Sequence, residues 1–288
     1  MKKQIYTLEN QESFCLKHIF ECGQCFRWNI EEDGSYIGIF QNNVCHVKQE
    51  KNKIIFDGIW ERDAKEIIYH YFDLARDYET IKTELSFVDK NVAQSIEYGS
   101  GIRILNQDLW ETMISFITSA NNNIPRIKKI IENLAKTYGK KIIWNGKEYY
   151  TFPTPEELSI ASIADLRNLG LGFRDKYIYQ VTQKVIKREF CLEELKKITN
   201  IHDLRKKLME LPGVGEKVAD CVMLFSDLKK LDVFPIDVWV RRVMNELYIK
   251  NEDEKKVSKE QIRELAEQKY KGLAGIAQQY LFYWKREA

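Results

Sequence analysis

The sequence has little proline, little cysteine and almost no net charge. Its 288 residues include 5 prolines, 6 cysteines and 14 glycines, with a formal net charge of +2. With 44% hydrophobic and 31% charged residues, the composition excludes collagenous, low-complexity and wholly disordered proteins. No run approaches the roughly 18 apolar residues that span a bilayer, and the first residues lack the apolar core of a signal peptide. We therefore expect a cytoplasmic protein of one large domain or two ordinary ones.

The cysteines are sparse for a chain of this length. Cys22 and Cys25 form one short Cys-x-x-Cys spacing. In a chain without an export signal, sparse cysteines are expected to be thiols rather than a disulfide framework. A zinc site needs paired short spacings, and a thioredoxin-like site needs a βαβ context that the flanking sequence does not offer. Metal or redox chemistry at these cysteines is a minor alternative.

Charge is unevenly divided along the chain. Residues 1–100 carry 12 Lys+Arg against 17 Asp+Glu, a balance of −5, whereas residues 101–288 carry 33 against 26, a balance of +7. A polyanionic partner would therefore meet the second part of the chain. The difference is too small to identify a partner by itself.

The periodicity of the apolar residues changes near residue 105. Before it, short alternating runs separated by turns predict an antiparallel sheet, with runs over 25–30, 35–40, 44–49 and 53–56 and a helix over 63–73. After it the period is helical, with helices expected over 109–120, 124–138, 203–210, 216–225, 238–247, 262–270 and 273–284, another starting at 156, and a loop over 251–260. The sequence thus predicts an α+β protein, with an N-terminal antiparallel β-sheet and helices in 1–104 and a mainly α-helical domain in 105–288.

The most specific segment is LRKKLMELPGVGEKVADC, residues 204–221. Its apolar spacing predicts two packed helices, and Gly213 and Gly215 supply a tight bend whose backbone can approach a ligand closely. The free N–H groups at the start of the second helix favour a phosphate. The segment resembles the helix-hairpin-helix element of DNA-binding proteins. The other interpretation is a packed helical corner whose glycines serve geometry alone.

Lys217 and Asp237 are the candidate catalytic pair. An ordinary lysine is protonated at neutral pH, but the first turn of a helix disfavours a further positive charge and so favours a neutral nucleophile. Twenty residues later, the string FPIDVWVRR contains Asp237. Together the two strings resemble the signature of the helix-hairpin-helix (HhH-GPD) DNA glycosylases. The resemblance implies that Asp237 is the essential carboxylate and Lys217 the nucleophile of a bifunctional enzyme. The plainer alternatives are a helix cap and a phosphate contact.

Further motifs resemble those of the 8-oxoguanine DNA glycosylases, in the shortened form expected of bacteria. The string CGQCFRW resembles the family's Gly-Gln-x-Phe-Arg-Trp segment, which implies that the Gly23 carbonyl accepts the N7 hydrogen that guanine lacks. The string AGIAQQYLF implies that Gln278 reads the extruded base and that Phe282 stacks on it. By the same resemblance, Cys221 contacts the base and pairs electrostatically with Lys217. A buried structural thiol is the alternative for Cys221.

Two more segments imply contacts with the DNA around the extruded base. In SANNNIPRI, the resemblance implies that Asn121 fills the space left by the base and that Arg126 contacts the estranged cytosine. In NLGLGFR, it implies that Phe173 inserts beside that cytosine and that Arg174 binds its edge. The alternatives are a turn of three asparagines and a buried phenylalanine at a helix end.

The sequence also departs from its relatives. Trp239 stands where the eukaryotic enzymes carry a histidine, and Lys285 replaces the acidic partner of that histidine, which leaves that phosphate contact unsupported. No Cys-x6-Cys-x2-Cys-x5-Cys cluster ends the sequence, which argues against the iron–sulfur glycosylases. No organic cofactor is expected. The resemblance implies a monovalent cation held by the main-chain carbonyls of Met209, Leu211 and Val214.

The implied function is excision of 8-oxoguanine paired with cytosine from double-stranded DNA by a monomeric enzyme. A lysine Schiff base would form and β-elimination would nick the strand. Two alternatives stay open. One is a helix-hairpin-helix glycosylase for another damaged base, such as an alkylated base. The other is a non-catalytic helix-hairpin-helix protein, which would bind DNA in a salt-dependent way but release no base.

Overall fold

A computed structural model of the chain describes residues 2–9, 11–51 and 53–287. An antiparallel five-stranded sheet with helices comes first in the chain, and a mainly helical part follows it. This arrangement confirms the predicted α+β class. Within the described ranges, no helix is both long and apolar enough to cross a membrane.

The first sheet has the strand order β1-β5-β4-β3-β2, and all its pairs are antiparallel. The strands are β1 (Lys2–Glu9), β2 (Trp28–Ile30), β3 (Tyr36–Phe40), β4 (Asn43–Glu50) and β5 (Lys53–Trp60). The predicted hairpin between β3 and β4 is present. Gln41 and Asn42 have φ of 46° and 63°, the left-handed values that a two-residue turn of this kind requires. One face of the sheet buries a core with Trp28, Phe40 and Phe56.

Four helices accompany this sheet: α1 (Leu16–Phe20), α2 (Ala64–Tyr71), α3 (Tyr78–Val88) and α4 (Lys90–Tyr98). The helical part that follows contains α5 (Leu109–Ser119), α6 (Ile124–Tyr138), α7 (Pro155–Leu158), α8 (Ile163–Leu166), α9 (Asp175–Ile186), α10 (Leu192–Leu195), α11 (Ile201–Leu208), α12 (Glu216–Phe225), α13 (Val238–Met244), α14 (Lys259–Tyr270) and α15 (Ala274–Glu287). A small second hairpin, β6 (Lys141–Trp144) with β7 (Lys147–Tyr150), lies between α6 and α7.

Several boundaries differ from those predicted. The run over 25–30 is a strand only in β2, because the residues before it form a bent loop. Helix α14 begins inside the predicted loop over 251–260, since the Ser258 hydroxyl caps it by accepting the Gln261 N–H at 3.1 Å. Helix α13 ends at Met244 and is followed by a wider helical turn, Asn245–Ile249, instead of continuing to residue 247.

Helix α12 lies in the interior of the helical part. From Val218 to Phe225 each of its residues is buried, and it packs against α5 and α11. Its first turn, with Glu216 and Lys217, is only partly buried. The helix therefore carries its N-terminus from a well-packed core to the edge of a pocket, where rigid support favours a precisely placed side chain.

Candidate active site

A narrow pocket lies where the loop before β2 meets α5, α12, α13 and α15. It is lined by Cys22, Gly23, Phe116, Lys217, Cys221, Phe225, Pro235, Asp237, Val240, Gln278, Gln279 and Phe282. All six residues predicted for catalysis and base recognition are therefore in one place, although they span most of the sequence. The cavity volume is about 50 Å³, enough for a few water molecules. A purine can enter only if lining side chains move.

Lys217 extends from the first turn of α12 into this pocket. Its Nζ lies 5.2 Å from the centroid of the Phe116 ring, which forms part of the wall. One turn later, Cys221 is buried, and burial raises the pKa of its thiol to about 11 in spite of the nearby Lys217 charge. At neutral pH the thiol is therefore protonated, so any contact of Cys221 with Lys217 involves a neutral SH group.

Asp237 caps α13 and faces the pocket at the same time. Its Oδ1 accepts the Val240 N–H at 2.8 Å, which fixes the carboxylate at the start of the helix. Among the described residues, Asp237 and Lys217 form no direct ion pair, although both line the pocket. The helix-cap interpretation is thus correct as a description of local structure. It leaves the carboxylate available to a substrate lying between the two side chains.

Gly23 occupies a position that strongly favours glycine. Its φ is +83°, in the left-handed region. A Cβ atom there would lie 3.3 Å from Cε1 of Phe282 and 3.1 Å from an Nη atom of Arg286. The glycine therefore lets the backbone of the loop approach the ring of Phe282 on α15, at the wall of the pocket.

Gln278 presents an unpaired acceptor at this wall. The residue is 5% exposed, and its Oε1 has no hydrogen-bond partner among the described residues. Buried polar atoms are almost always hydrogen-bonded, so an orphan acceptor lining a pocket indicates a place for a ligand donor. Phe282, one turn later on α15, supplies an aromatic wall beside it.

The residues predicted to contact DNA around the extruded base form a second cluster. Arg174 is buried and donates to the carbonyls of Ala120, Leu171 and Asn121, the last at 2.9 Å. Arg126 is exposed in the first turn of α6, and its Nη2 lies 3.4 Å from the Gly170 carbonyl, in the segment that precedes Phe173.

Phe173, at the tip of this cluster, is 56% exposed, and the Arg174 guanidinium lies 4.4 Å from the centroid of its ring. In this state Arg174 is occupied by backbone carbonyls. It must exchange at least one of them for any base that it reads.

The hairpin between α11 and α12 has two glycines in different situations. Gly213 has φ of +79°, and a Cβ atom there would lie 2.8 Å from the ring of Tyr177. Gly215 is exposed, has φ of −91° and has open space around it. Gly213 is therefore required by the fold, whereas Gly215 leaves the first N–H groups of α12 accessible to an anion.

The carbonyls predicted to hold a cation also lie in this hairpin. The Leu211 carbonyl accepts the Val214 N–H at 3.1 Å, and Met209 ends α11 as its C-cap. The described residues contain no group of three or more His, Cys, Asp or Glu side chains arranged for a metal ion. Main-chain carbonyls fall outside such a group, so the cation at Met209, Leu211 and Val214 stays a prediction.

The two departures from the eukaryotic pattern lie at one cavity beside the pocket. Trp239, Trp284 and Lys285 line a space of about 490 Å³ between α13 and α15. Lys285 pairs with Glu246 at 2.7 Å, so its charge is engaged within the protein.

A larger cavity of about 630 Å³ lies between α11 and α14. Its lining contains none of the predicted site residues, so the smaller pocket is the candidate active site.

Several pocket residues carry no signal in the sequence. Phe116 and Phe225 stack at 5.4 Å and form an aromatic wall, but in the sequence they are ordinary apolar positions of helices. Cys22 is also part of the wall. Burial raises the pKa of both Cys22, to about 11, and Cys25. Thiols that remain protonated are poor nucleophiles and metal ligands, which argues against redox chemistry at the Cys-x-x-Cys spacing.

Comparison with known proteins agrees with this architecture. The model of the 8-oxoguanine DNA glycosylase N-terminal domain matches residues 7–113, and that of the HhH-GPD superfamily base excision DNA repair proteins matches residues 114–268. The N-glycosylase/DNA lyase of Saccharomyces cerevisiae is 32% identical over 268 residues, covering 83% of this chain and 69% of the yeast protein.

Two solved structures are closer. MBOgg1 in complex with a low-affinity DNA ligand is 45% identical, with a TM-score of 0.92 over 100% of this chain and 99% of that chain. The 8-oxoguanine glycosylase/lyase of Clostridium acetobutylicum, in complex with double-stranded DNA containing cytosine opposite 8-oxoG, is 42% identical, with a TM-score of 0.92 over 100% and 98% of the two chains.

The fold and the pocket define a helix-hairpin-helix DNA glycosylase of base excision repair. More narrowly, the chain belongs to the 8-oxoguanine DNA glycosylase family. The resemblance found in the sequence is thereby confirmed. The proteins that this chain resembles come from both bacteria and yeast, so the bacterial origin expected from the shortened form stays a prediction.

Proposed function

We propose that this enzyme removes 8-oxoguanine opposite cytosine from duplex DNA with Lys217 as the nucleophile and Asp237 as the essential carboxylate. The observation that carries the proposal is the convergence of both side chains with Gly23, Gln278 and Phe282 on one pocket. These residues lie on four separate segments, and packing of the helical part against the loop before β2 brings them together. Its place of action would be the DNA of the cytoplasm, in a bacterium the nucleoid.

Extrusion of the base is the first step. Unstacking and unpairing one nucleotide costs a few kcal/mol, which contacts in the duplex must offset. The exposed ring of Phe173 is suited to wedge beside the estranged cytosine. Asn121, in the turn before α6, and Arg126, in the first turn of α6, would contact the same gap in the duplex. Arg174 would exchange backbone carbonyls for the cytosine edge. The accessible N–H groups at the start of α12 would hold a phosphate.

Recognition of the base is the second step. In 8-oxoguanine N7 carries a hydrogen, whereas in guanine N7 is an acceptor. A carbonyl at Gly23 would pair with the first and repel the second, and an unpaired or opposed polar group costs about 1–3 kcal/mol. The orphan Oε1 of Gln278 accepts a further N–H of the base, while Phe282 packs against its face. Neutral Cys221 offers an apolar contact from the opposite helix.

Bond cleavage follows in the same pocket. The lone pair of neutral Lys217 attacks C1′, and the electrons of the glycosidic bond leave with the base, which takes up a proton. Asp237 stabilises the positive charge that develops on the sugar and assists proton transfer. The amine then loses one proton, and its lone pair expels O4′, which takes up a proton, so that the sugar ring opens and C1′ and the lysine nitrogen form a protonated Schiff base. Removal of a C2′ proton then expels the 3′ phosphate and nicks the strand.

A single-turnover cleavage assay tests the proposal. A labelled duplex with one 8-oxoguanine opposite cytosine is incubated with excess enzyme and divided between direct loading and alkali treatment. We expect direct strand scission with 8-oxoguanine and none with guanine. Scission only after alkali would contradict the lyase step. No scission in either case, with salt-dependent binding intact, would mean another lesion or a non-catalytic protein.

A further inference from the structure

The loop that carries Gly23 is not part of a regular ladder. It lies between α1 and β2, and residues 21–24 form successive bends. The direction of the Gly23 carbonyl therefore depends on what holds the neighbouring peptides. A single recognition hydrogen bond discriminates well only if its acceptor is fixed before the ligand arrives.

The C-terminal side of this loop is fixed by a buried carboxamide. Gln24 has no solvent exposure, and its Nε2 donates to the carbonyls of Ile19 at 2.9 Å and Arg103 at 2.8 Å. Its Oε1 accepts the Leu105 N–H at 2.9 Å. The carbonyl of Gln24 in turn accepts from the Gln107 side chain at 2.7 Å.

A second buried carboxamide holds the other side of the loop. Gln279 is 2% exposed, and its Nε2 donates to the Cys22 carbonyl, directly before Gly23. Gln279 also neighbours Gln278 on α15, and Phe282 is on the same helix. Helix α15 therefore provides two parts of the pocket wall, the side chains of Gln278 and Phe282. Through the hydrogen bond from Gln279, it also fixes the position of the loop that carries Gly23.

We infer that Gln279 is a positioning residue for base recognition. By holding the Cys22 carbonyl, it sets the distance between the Gly23 carbonyl and the Gln278 and Phe282 side chains, so that all three meet one extruded base. Gln24 anchors the loop on its other side. This inference rests on the proposed recognition of 8-oxoguanine by Gly23, and it assigns specificity to a residue that need not touch the base.

The chemistry of the family offers a built-in separation of recognition from bond cleavage. Excision of 8-oxoguanine needs a recognised base, whereas β-elimination at a preformed abasic site needs only the amine and the sugar. The variant Gln279→Met keeps the volume of the side chain but removes the donor. We expect its excision rate at 8-oxoguanine opposite cytosine to fall about tenfold, the usual effect of one hydrogen bond. Its lyase rate on abasic DNA should stay nearly unchanged, so that the ratio of the excision rate to the lyase rate also falls about tenfold.

The matched control removes a buried carboxamide far from the pocket. Asn43 is buried in the β3–β4 hairpin, where it donates to the Phe40 carbonyl at 3.2 Å and accepts the Glu61 N–H at 2.8 Å. Asn43→Leu should lower the melting temperature but leave the ratio of excision to lyase rates unchanged. Where Gln279→Met fails to fold, Gln279→Asn, which withdraws the amide by one methylene, carries the same expectation.

If Gln279→Met leaves the ratio of the excision rate to the lyase rate unchanged, whether both rates fall equally or neither falls, the inference is overturned. Gln279 would then contribute only to general stability. Failure of the proposed function looks different. In that case the unmodified enzyme itself would not excise 8-oxoguanine, and the variants would have nothing to alter.

Discussion

At the scale of single residues, Asp237 has an observed structural task as a helix cap and a chemical task that we propose. Its carboxylate accepts the Val240 N–H at 2.8 Å and lines the pocket that contains Lys217. Removing the side chain would confuse the two tasks, because a lost helix cap costs about 1 kcal/mol by itself. Asparagine separates them, since it caps helices as well as aspartate does but carries no charge.

We therefore predict that Asp237→Asn lowers the single-turnover excision rate at least about 100-fold, the usual effect of losing an electrostatic stabiliser of the transition state. The melting temperature should stay within a few degrees of the unmodified enzyme. Both quantities are measured on the same preparation, by gel-based cleavage and by circular dichroism. Near-normal turnover would contradict the catalytic assignment of Asp237. If Asp237→Asn loses much stability, Asp237→Ser serves in its place, because serine also caps helices but carries no charge.

Some of the residues at this site were predictable and others were not. Lys217, Asp237 and Gly23 lie in strings that resemble signatures of the glycosylase family, so the sequence singles them out through that resemblance. Phe116 and Gln279 lie at unremarkable positions of helices. They belong to the pocket only because α5 and α15 pack beside α12 and α13, and no local pattern records such packing.

At the scale of elements, the hairpin of α11 and α12 depends on Gly213. An L-residue with a side chain in the left-handed region costs about 1–2 kcal/mol, and here a Cβ atom would also press on the Tyr177 ring at 2.8 Å. Gly213→Ala should therefore lower the melting temperature by several degrees and weaken binding to duplex DNA.

Gly215→Ala is the matched variant, because φ of −91° suits alanine and the space around it is open. We expect it to keep most of the stability, with a loss under about 1 kcal/mol at the helix cap. It should still weaken duplex binding if a phosphate approaches the hairpin amides. Thermal unfolding and fluorescence anisotropy distinguish the two variants. Equal stability of Gly213→Ala and Gly215→Ala would contradict the account of the hairpin.

Elements with their own start signals were predicted most accurately. Asp108 caps α5 and Asn123 caps α6, which also has proline in its first turn, and both helices begin where the sequence indicates. Strand β1 was missed. It forms the edge of the sheet, is largely exposed, and pairs with β5 about fifty residues later, a partnership that no local pattern shows. The domain boundary near residue 105 stays a prediction.

At the scale of the whole molecule, a buried lysine joins the helical part to the first hundred residues. Lys229 follows α12, and its Nζ contacts the Ile104 carbonyl and lies 3.3 Å from Oδ2 of Asp73. Burial lowers the pKa of Lys229 to about 7, although Asp73 opposes this shift. In the unfolded chain the same lysine is protonated until about pH 10.4.

The sign of the pH dependence follows from this difference. Between pH 7 and 8.5 the unfolded chain binds more protons at Lys229 than the folded chain, so the free energy of unfolding rises with pH. We predict that this rise, about 1–2 kcal/mol over the interval, disappears in Lys229→Met. Urea unfolding at pH 7.0 and 8.5 measures it. If the free energy of unfolding rises equally with pH in the unmodified protein and in Lys229→Met, Lys229 remains charged in the folded protein beside Asp73.

The central claim concerns the whole enzyme on its DNA, namely that Lys217 forms a covalent intermediate at an oxidised guanine. Borohydride trapping on a labelled duplex with 8-oxoguanine opposite cytosine tests it most directly. We predict a slowly migrating covalent band with the unmodified enzyme, no band with guanine in the same position, and no band with Lys217→Gln, which should still bind the lesion. A band of equal yield with Lys217→Gln, or alkali-sensitive sites without any band from the unmodified enzyme, would contradict the account.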